Sequence, residues 1–139
     1  MSVTTQTIDL FTQGHADTLD ITDQVAQLVH ASSLKSGTVT VFCPSSTSAL
    51  TTIEFEEGCL QDLRRLFDEI VGPKQDYAHN ARWGDGNGHA HTRAALLGCS
   101  LTVPFVSGKL TLGVWQQIIF VDFDNRPRKR ELVVQMIGE

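Results

Sequence analysis

Three of the five histidines, His79, His89 and His91, lie in one glycine-rich stretch, and imidazole suits both metal ligation and proton transfer near neutral pH. His89 and His91 stand two positions apart in Asn87-Gly88-His89-Ala90-His91, a spacing that puts both rings on one side of an extended backbone. The neighbouring Gly86 and Gly88 let that backbone bend close to a ligand. A catalytic zinc takes about three protein ligands and keeps one position open, and His79 can supply the third. The same pair can equally face solvent or bond to backbone, because a two-histidine match is weak without a fixed third ligand. A calcium loop starting at Asp85 is excluded, since its twelfth place holds Leu96 where a glutamate is required.

Other polar groups are candidates by type. Ser45, Ser46, Thr47 and Ser48 follow an apolar run and Pro44, and turn hydroxyls with backbone amides can cradle a phosphate. The stretch lacks the glycine-lysine pattern of a nucleotide P-loop, and by itself it also reads as an ordinary turn. Glu54 and Asp62 can act as general bases, as partners orienting a histidine, or as plain surface carboxylates. Gln116 interrupts an apolar strand, so it is an edge or interface residue or a substrate contact. Arg126, Arg128, Lys129 and Arg130 form the one basic run, flanked by Asp122, Asp124 and Glu131, and such mixed charge usually marks a solvated turn.

The elements that must position these groups follow from periodicity. Thr4 to Leu10 reads as a strand and is followed by a turn around Gly14 to Asp17. Ile21, Val25, Leu28 and Val29 recur at helical spacing, with Asp20 and Thr22 as caps and Gly37 as the stop. Thr38 to Cys43 and Ala49 to Phe55 read as strands across the Pro44 bend, and Leu60, Leu63, Phe67 and Ile70 mark a second helix ended by Gly72 and Pro73. Lys74 to Thr92 shows no sustained period and reads as a long irregular stretch of the kind that is functional or disordered. Arg93 to Leu97 forms a short helix closed by Gly98, and Leu101 to Pro104, Lys109 to Phe123 and Leu132 to Ile137 close the chain as strands. Ile118 to Val121 is apolar throughout, as in a strand buried on both faces.

The composition is that of one packed domain spanning 1-139, with 41% hydrophobic and 19% charged residues. A net charge of -5 disfavours DNA, RNA or anionic membrane as a partner. Cys43, Cys59 and Cys99 are odd in number and contain no Cys-x-x-Cys, which fits reduced thiols in the cytoplasm. Met1 to Leu10 has no secretory character, and no apolar run reaches membrane-spanning length. The expectation is a cytoplasmic protein outside the membrane.

Several pieces line up in order: Pro44 to Glu54 (PSSTSALTTIE), Asp62-Leu63, Tyr77-Ala78-His79, Asn87 to His91 (NGHAH), Gly98 with Val103-Pro104, and Gly108 to Gln116 (GKLTLGVWQ). Together they resemble the YjbQ family, sometimes described as secondary thiamine-phosphate synthases, over nearly the whole chain. The resemblance implies an α+β fold, a compact sandwich of mostly antiparallel sheet with two or three helices, assembled as a homotrimer with sites near the subunit boundaries. It also implies a divalent metal ion, zinc or magnesium, held by His79, His89 and His91, with Glu54 as the family's strand glutamate.

The implied reaction joins a pyrimidine diphosphate to a thiazole phosphate. Ser45, Ser46 and Thr47 then contact phosphate, and Arg128 or Arg130 contacts diphosphate. Two other readings are metal-assisted hydrolysis of a small phosphorylated metabolite, with Glu54 or Asp62 positioning water, and a non-catalytic trimeric metal- or metabolite-binding protein. Many family members carry Pro-His-Thr-Thr where this chain has Pro44, Ser45, Ser46 and Thr47. A family histidine is therefore serine here, which alters or removes the step that histidine served, or leaves His79, His89 and His91 as the complete metal set.

Overall fold

A computed structural model describes residues 1–139. Eight strands and four helices alternate in the order β1 (Ser2–Thr12), β2 (Asp17–Asp20), α1 (Thr22–Ala31), β3 (Ser36–Phe42), β4 (Ser48–Ile53), α2 (Glu57–Ile70), α3 (Ala78–Trp83), α4 (Gly88–Leu97), β5 (Ser100–Val106), β6 (Lys109–Leu110), β7 (Gln117–Asp122) and β8 (Arg128–Gly138). Every strand pairing is antiparallel. The expected α+β sandwich is present, with four helices rather than two or three. No helix is long and apolar enough to cross a membrane.

Five strands in the order β1-β8-β3-β5-β6 form one sheet, and β2-β7-β4 form a second. The inward residues of the large sheet (Ile8, Leu10, Val39, Val41, Phe105, Leu132, Val134, Met136) join Leu50, Ile118 and Phe120 of the small sheet in one core. On its other face the small sheet offers Ala49, Ile119 and Val121 to Phe67 of α2 and to Ala90 and Ala94 of α4. Strand β7 is thus buried on both sides, as its unbroken apolar run implies. The layers are large sheet, small sheet, then α2 and α4, while α1 lays Val25 and Val29 into the core shared by the two sheets.

The helices are tied by particular residues. The Asp20 carboxylate accepts from the Thr22 N–H at 3.0 Å, although the cap position of α1 is Ile21 rather than the expected Asp20 or Thr22, and Glu56 caps α2 by accepting from the Cys59 N–H at 2.7 Å. Helices α3 and α4 occupy the stretch expected to be irregular, and α4 begins five residues before Arg93. The Asn80 side chain of α3 accepts from the Gly88 N–H at 2.8 Å, serving the α4 terminus from outside. A Cβ at Gly88 would lie 2.5 Å from Tyr77 Cβ, so this tight entry requires glycine. The expected turn around Gly14 to Asp17 leads directly into the short strand β2, paired to β7.

Candidate functional site

Residue alternation in β8 builds the floor of the candidate site. Leu132, Val134 and Met136 point into the core, and period two carries Arg130 and Arg128 onto that same inner face. There they pass the end of the apolar packing and meet two carboxylates at the end of β7 rather than a solvated turn. Asp122 is 0% and Asp124 1% exposed.

Arg130 grips Asp122 with two donors, Nε to Oδ2 at 2.7 Å and Nη2 to Oδ1 at 3.0 Å, and its Nη2 also reaches Thr47 Oγ1 at 2.8 Å. The Thr12 hydroxyl donates to Asp122 Oδ2 at 2.6 Å. Arg128 donates to Asp124 Oδ2 through Nε at 3.0 Å and Nη2 at 2.7 Å, and Thr47 donates to the same oxygen at 3.1 Å. The other oxygen, Oδ1, receives the Asn125 N–H at 2.8 Å and the Asn87 amide at 3.2 Å. Burial alone would raise the Asp124 pKa, but these hydrogen bonds and the Arg128 charge outweigh it and hold it at about 2. Two buried negative charges meet two positive ones, and none of the hydrogen bonds within the chain uses Nη1 of either arginine.

Above this network lies an open cleft of about 390 Å³. Its walls are the Pro44–Thr47 turn after β3, Asn87 at the start of α4, His91 one turn further, and the Asp124, Arg128 and Arg130 floor. A second hollow of about 280 Å³ shares Ser45, Ser46 and His91 and continues past Ala94 and Ala95 to Cys99. His79 of α3 stands beside the cleft, its ring centroid 4.5 Å from that of His91. Its Nε2 is 3.0 Å from Asn87 Oδ1 and 3.2 Å from Asp85 Oδ1.

The three histidines do not act alike. Because residues 88–97 are helical, positions 89 and 91 diverge by about 200° around the axis instead of sharing a side. His91 turns to the cleft, whereas His89 is buried beside Tyr77 with its Nδ1 unpartnered. Burial, then the positive charges of Arg93 and His15, push the His89 pKa down and favour the neutral ring. The ligand set of His79, His89 and His91 is therefore not assembled within this chain, and no three His, Cys, Asp or Glu side chains are grouped to hold a metal ion. The donor geometry does not fit the implied metal.

Of the other candidates, Ser45, Ser46, Thr47, Arg128 and Arg130 all line the cleft. Glu54, Asp62 and Gln116 do not. Ser48 pairs with Asp122 at one end of the small sheet and Ile53 with Gln117 at the other, so Glu54 and Gln116 lie about 20 Å from the cleft end at strand rise per residue. Glu54 accepts a weak bond from Cys59 Sγ at 3.8 Å, exposed Asp62 pairs with Arg65 at 3.4 Å, and Gln116 bonds Thr52 Oγ1 at 3.1 Å. Sequence reasoning did not place Asp122 and Asp124 in the site. The signal for them was their spacing of two at the end of a strand, facing the matching pair Arg128 and Arg130.

Comparison with known proteins agrees over the full length. The family model described as UPF0047 protein YjbQ-like matches residues 6–139. A UPF0047 protein of Archaeoglobus fulgidus is 39% identical over 130 residues, covering 94% of this chain and 98% of its own. One from Methanothermobacter thermautotrophicus is 37% identical over 139 residues, covering 100% and 95% respectively. Among solved structures, a YbjQ-like protein of unknown function from Sulfolobus solfataricus superposes with a TM-score of 0.89 at 33% identity, covering 99% of this chain and 100% of that one. A hypothetical protein from Aeropyrum pernix gives a TM-score of 0.90 at 30% identity, covering 98% and 99%. With the family model spanning residues 6–139 and relatives of matching length and fold, the chain belongs to the UPF0047 YjbQ-like family.

Proposed function

We propose that the cleft binds the phosphate or diphosphate of a small metabolite and that the chain acts as a phosphate-releasing hydrolase. The observation that supports this reading is the character of the wall: hydroxyls, an amide, an imidazole and two guanidinium groups beside one carboxylate, Asp124, with Pro44 the one side chain lacking a hydrogen-bonding group. The Asp124 oxygens already accept bonds from Asn87, Asn125, Thr47 and Arg128, so the donors left to an incoming anion are the serine hydroxyls and the unused Nη1 groups.

Calorimetry with inorganic pyrophosphate tests the binding step. Ser46 is exposed, so Ser46→Asp places a like charge at the mouth without disturbing the core. It is expected to weaken pyrophosphate binding by about tenfold or more. Wild-type protein that shows no binding heat with pyrophosphate or phosphate sinks the proposal.

The thiamine-phosphate synthase reaction is the second reading. The adjoining hollow with Ala94 and Ala95 supports it by offering room for a second group beside a cradled diphosphate. Product analysis separates the two: inorganic phosphate released without a thiazole acceptor marks hydrolysis, and acceptor-dependent diphosphate release marks transfer. Binding without turnover marks the non-catalytic reading. Zinc or magnesium stands outside this scheme, and elemental analysis of wild type and His91→Ala tests it; stoichiometric metal lost in the variant replaces the scheme with metal chemistry.

We also propose a homotrimer whose contacts use the outer face of the large sheet. Val3, Ile137, Phe42 and Val106 stand exposed there, and nothing in the chain covers them. Light scattering on the purified protein reads the assembly directly.

A further inference from the structure

Hydrogen bonding around Asn87 determines which nitrogen of His79 carries the proton. The Asp124 carboxylate can only accept, so the Asn87 group facing its Oδ1 at 3.2 Å is the amide NH₂. That fixes the other end of the amide, and Oδ1 is the atom 3.0 Å from His79 Nε2. The second neighbour of this nitrogen, Asp85 Oδ1 at 3.2 Å, is also an acceptor. Two acceptors around one ring nitrogen require that nitrogen to bear hydrogen. In the neutral ring Nδ1 then keeps its lone pair. It has no partner in the chain, and the only buried polar side-chain atoms lacking a partner are Ser48 Oγ and His89 Nδ1, so His79 Nδ1 is open to solvent.

We infer that Asn87 is a positioning residue that locks His79 in the Nε2–H form, so that Nδ1 is the atom offered to take a proton from a water or hydroxyl at the cleft. The catalytic part of this inference rests on the hydrolase reading; the tautomer itself does not. In the hydrolytic step the water oxygen forms a bond to phosphorus while its proton passes to Nδ1. The ester P–O bond breaks with its electron pair on the leaving oxygen, which takes a proton from solvent. The free lone pair would be idle in transfer to a thiazole nitrogen, which attacks without losing a proton. The division of labour also explains the capping of α4: Asn80 serves the Gly88 N–H, and the Asn87 side chain is released for Asp124 and His79.

The test is a long-range ¹H–¹⁵N correlation spectrum of labelled, ligand-free protein at mildly alkaline pH, with His79 assigned by its loss in His79→Gln. The expected result is one tautomer, with Nε2 of the protonated type and Nδ1 of the bare type. Exposed Asp85 is the lesser acceptor, so Asp85→Ala is expected to keep that pattern, and Asp85→Ala with Asn87→Leu to give a mixture of tautomers. A protonated Nδ1 in wild type overturns the inference. A switch in Asp85→Ala alone transfers the lock to Asp85, and an unchanged pattern in the folded double variant removes Asn87 from the role. Wild type and Asp85→Ala decide the matter should the double variant not fold. Because no ligand is present, failure here is distinct from failure of pyrophosphate to bind.

Discussion

At the scale of single residues, Asp124 carries a stability that depends on acid. Its carboxyl is held at about 2 against an ordinary value of 3.8, chiefly because hydrogen bonds and the Arg128 charge overcome its burial. A depressed carboxylate stabilises fully above its unfolded pKa, and that contribution is lost as pH falls from about 4 through about 2, with the shift worth about 2 kcal/mol. Asp124→Asn is expected to lower stability at neutral pH and to flatten the acid limb in that window, as read from urea unfolding at a series of pH values. Arg130→Met would strand Asp122 without its cation, and the expected cost is about 3–5 kcal/mol. Adding Asp122→Leu should recover much of it; a cost below about 1 kcal/mol for Arg130→Met would show the pair to be solvated. The histidines and the hydroxyl turn were legible in sequence because their types are unusual in a run. Asp122 and Asp124 were not, since beside Asn125 and Pro127 they look like turn residues until the packing of the two sheets brings the end of β7 against the inward arginines of β8.

At the scale of elements, the informative one is α4. Its first residues are Gly-His-Ala-His, too short and too glycine-rich to show a helical period, and the helix stands there because Asn80 caps it and Tyr77 packs on Gly88. Tertiary contact overrides weak local preference. Gly88→Ala is expected to destabilise by about 1–3 kcal/mol through overpacking against Tyr77. In a Tyr77→Gly background, which removes the opposing Cβ as well as the ring, the same change should cost distinctly less, and equal costs in both backgrounds would show that the entry is not set by this contact. The longer elements were legible: α2 by its apolar stripe and its Gly72-Pro73 stop, β7 by its unbroken apolar run. The four-residue β2 was hidden between a glycine turn and α1, where pairing with β7 rather than composition defines it.

At the scale of the whole molecule, the large sheet is covered on one face and bare on the other. Directly opposed residues share a face, so the pairs Val3–Ile137 and Phe42–Val133 form outward rows across β1, β8 and β3. Phe42→Asp is expected to convert a trimer to monomer by light scattering while leaving the core intact, and a species unchanged in mass would place the subunit contact elsewhere. The layered α+β architecture was legible from strand and helix periods, whereas the way the chain gathers a cleft from four separated segments was not.

The shared inner face of β8 has a further consequence. One strand supplies both the apolar plug of the interior and the cations of the cleft, so a slip of a single residue would drive Lys129 and Glu131 inward and throw both guanidinium groups outside. Such a misaligned copy would be too unstable to persist. Every molecule that survives folding has therefore already passed inspection for an assembled cleft, and a stable but inert population through misthreading of this strand is closed to the protein.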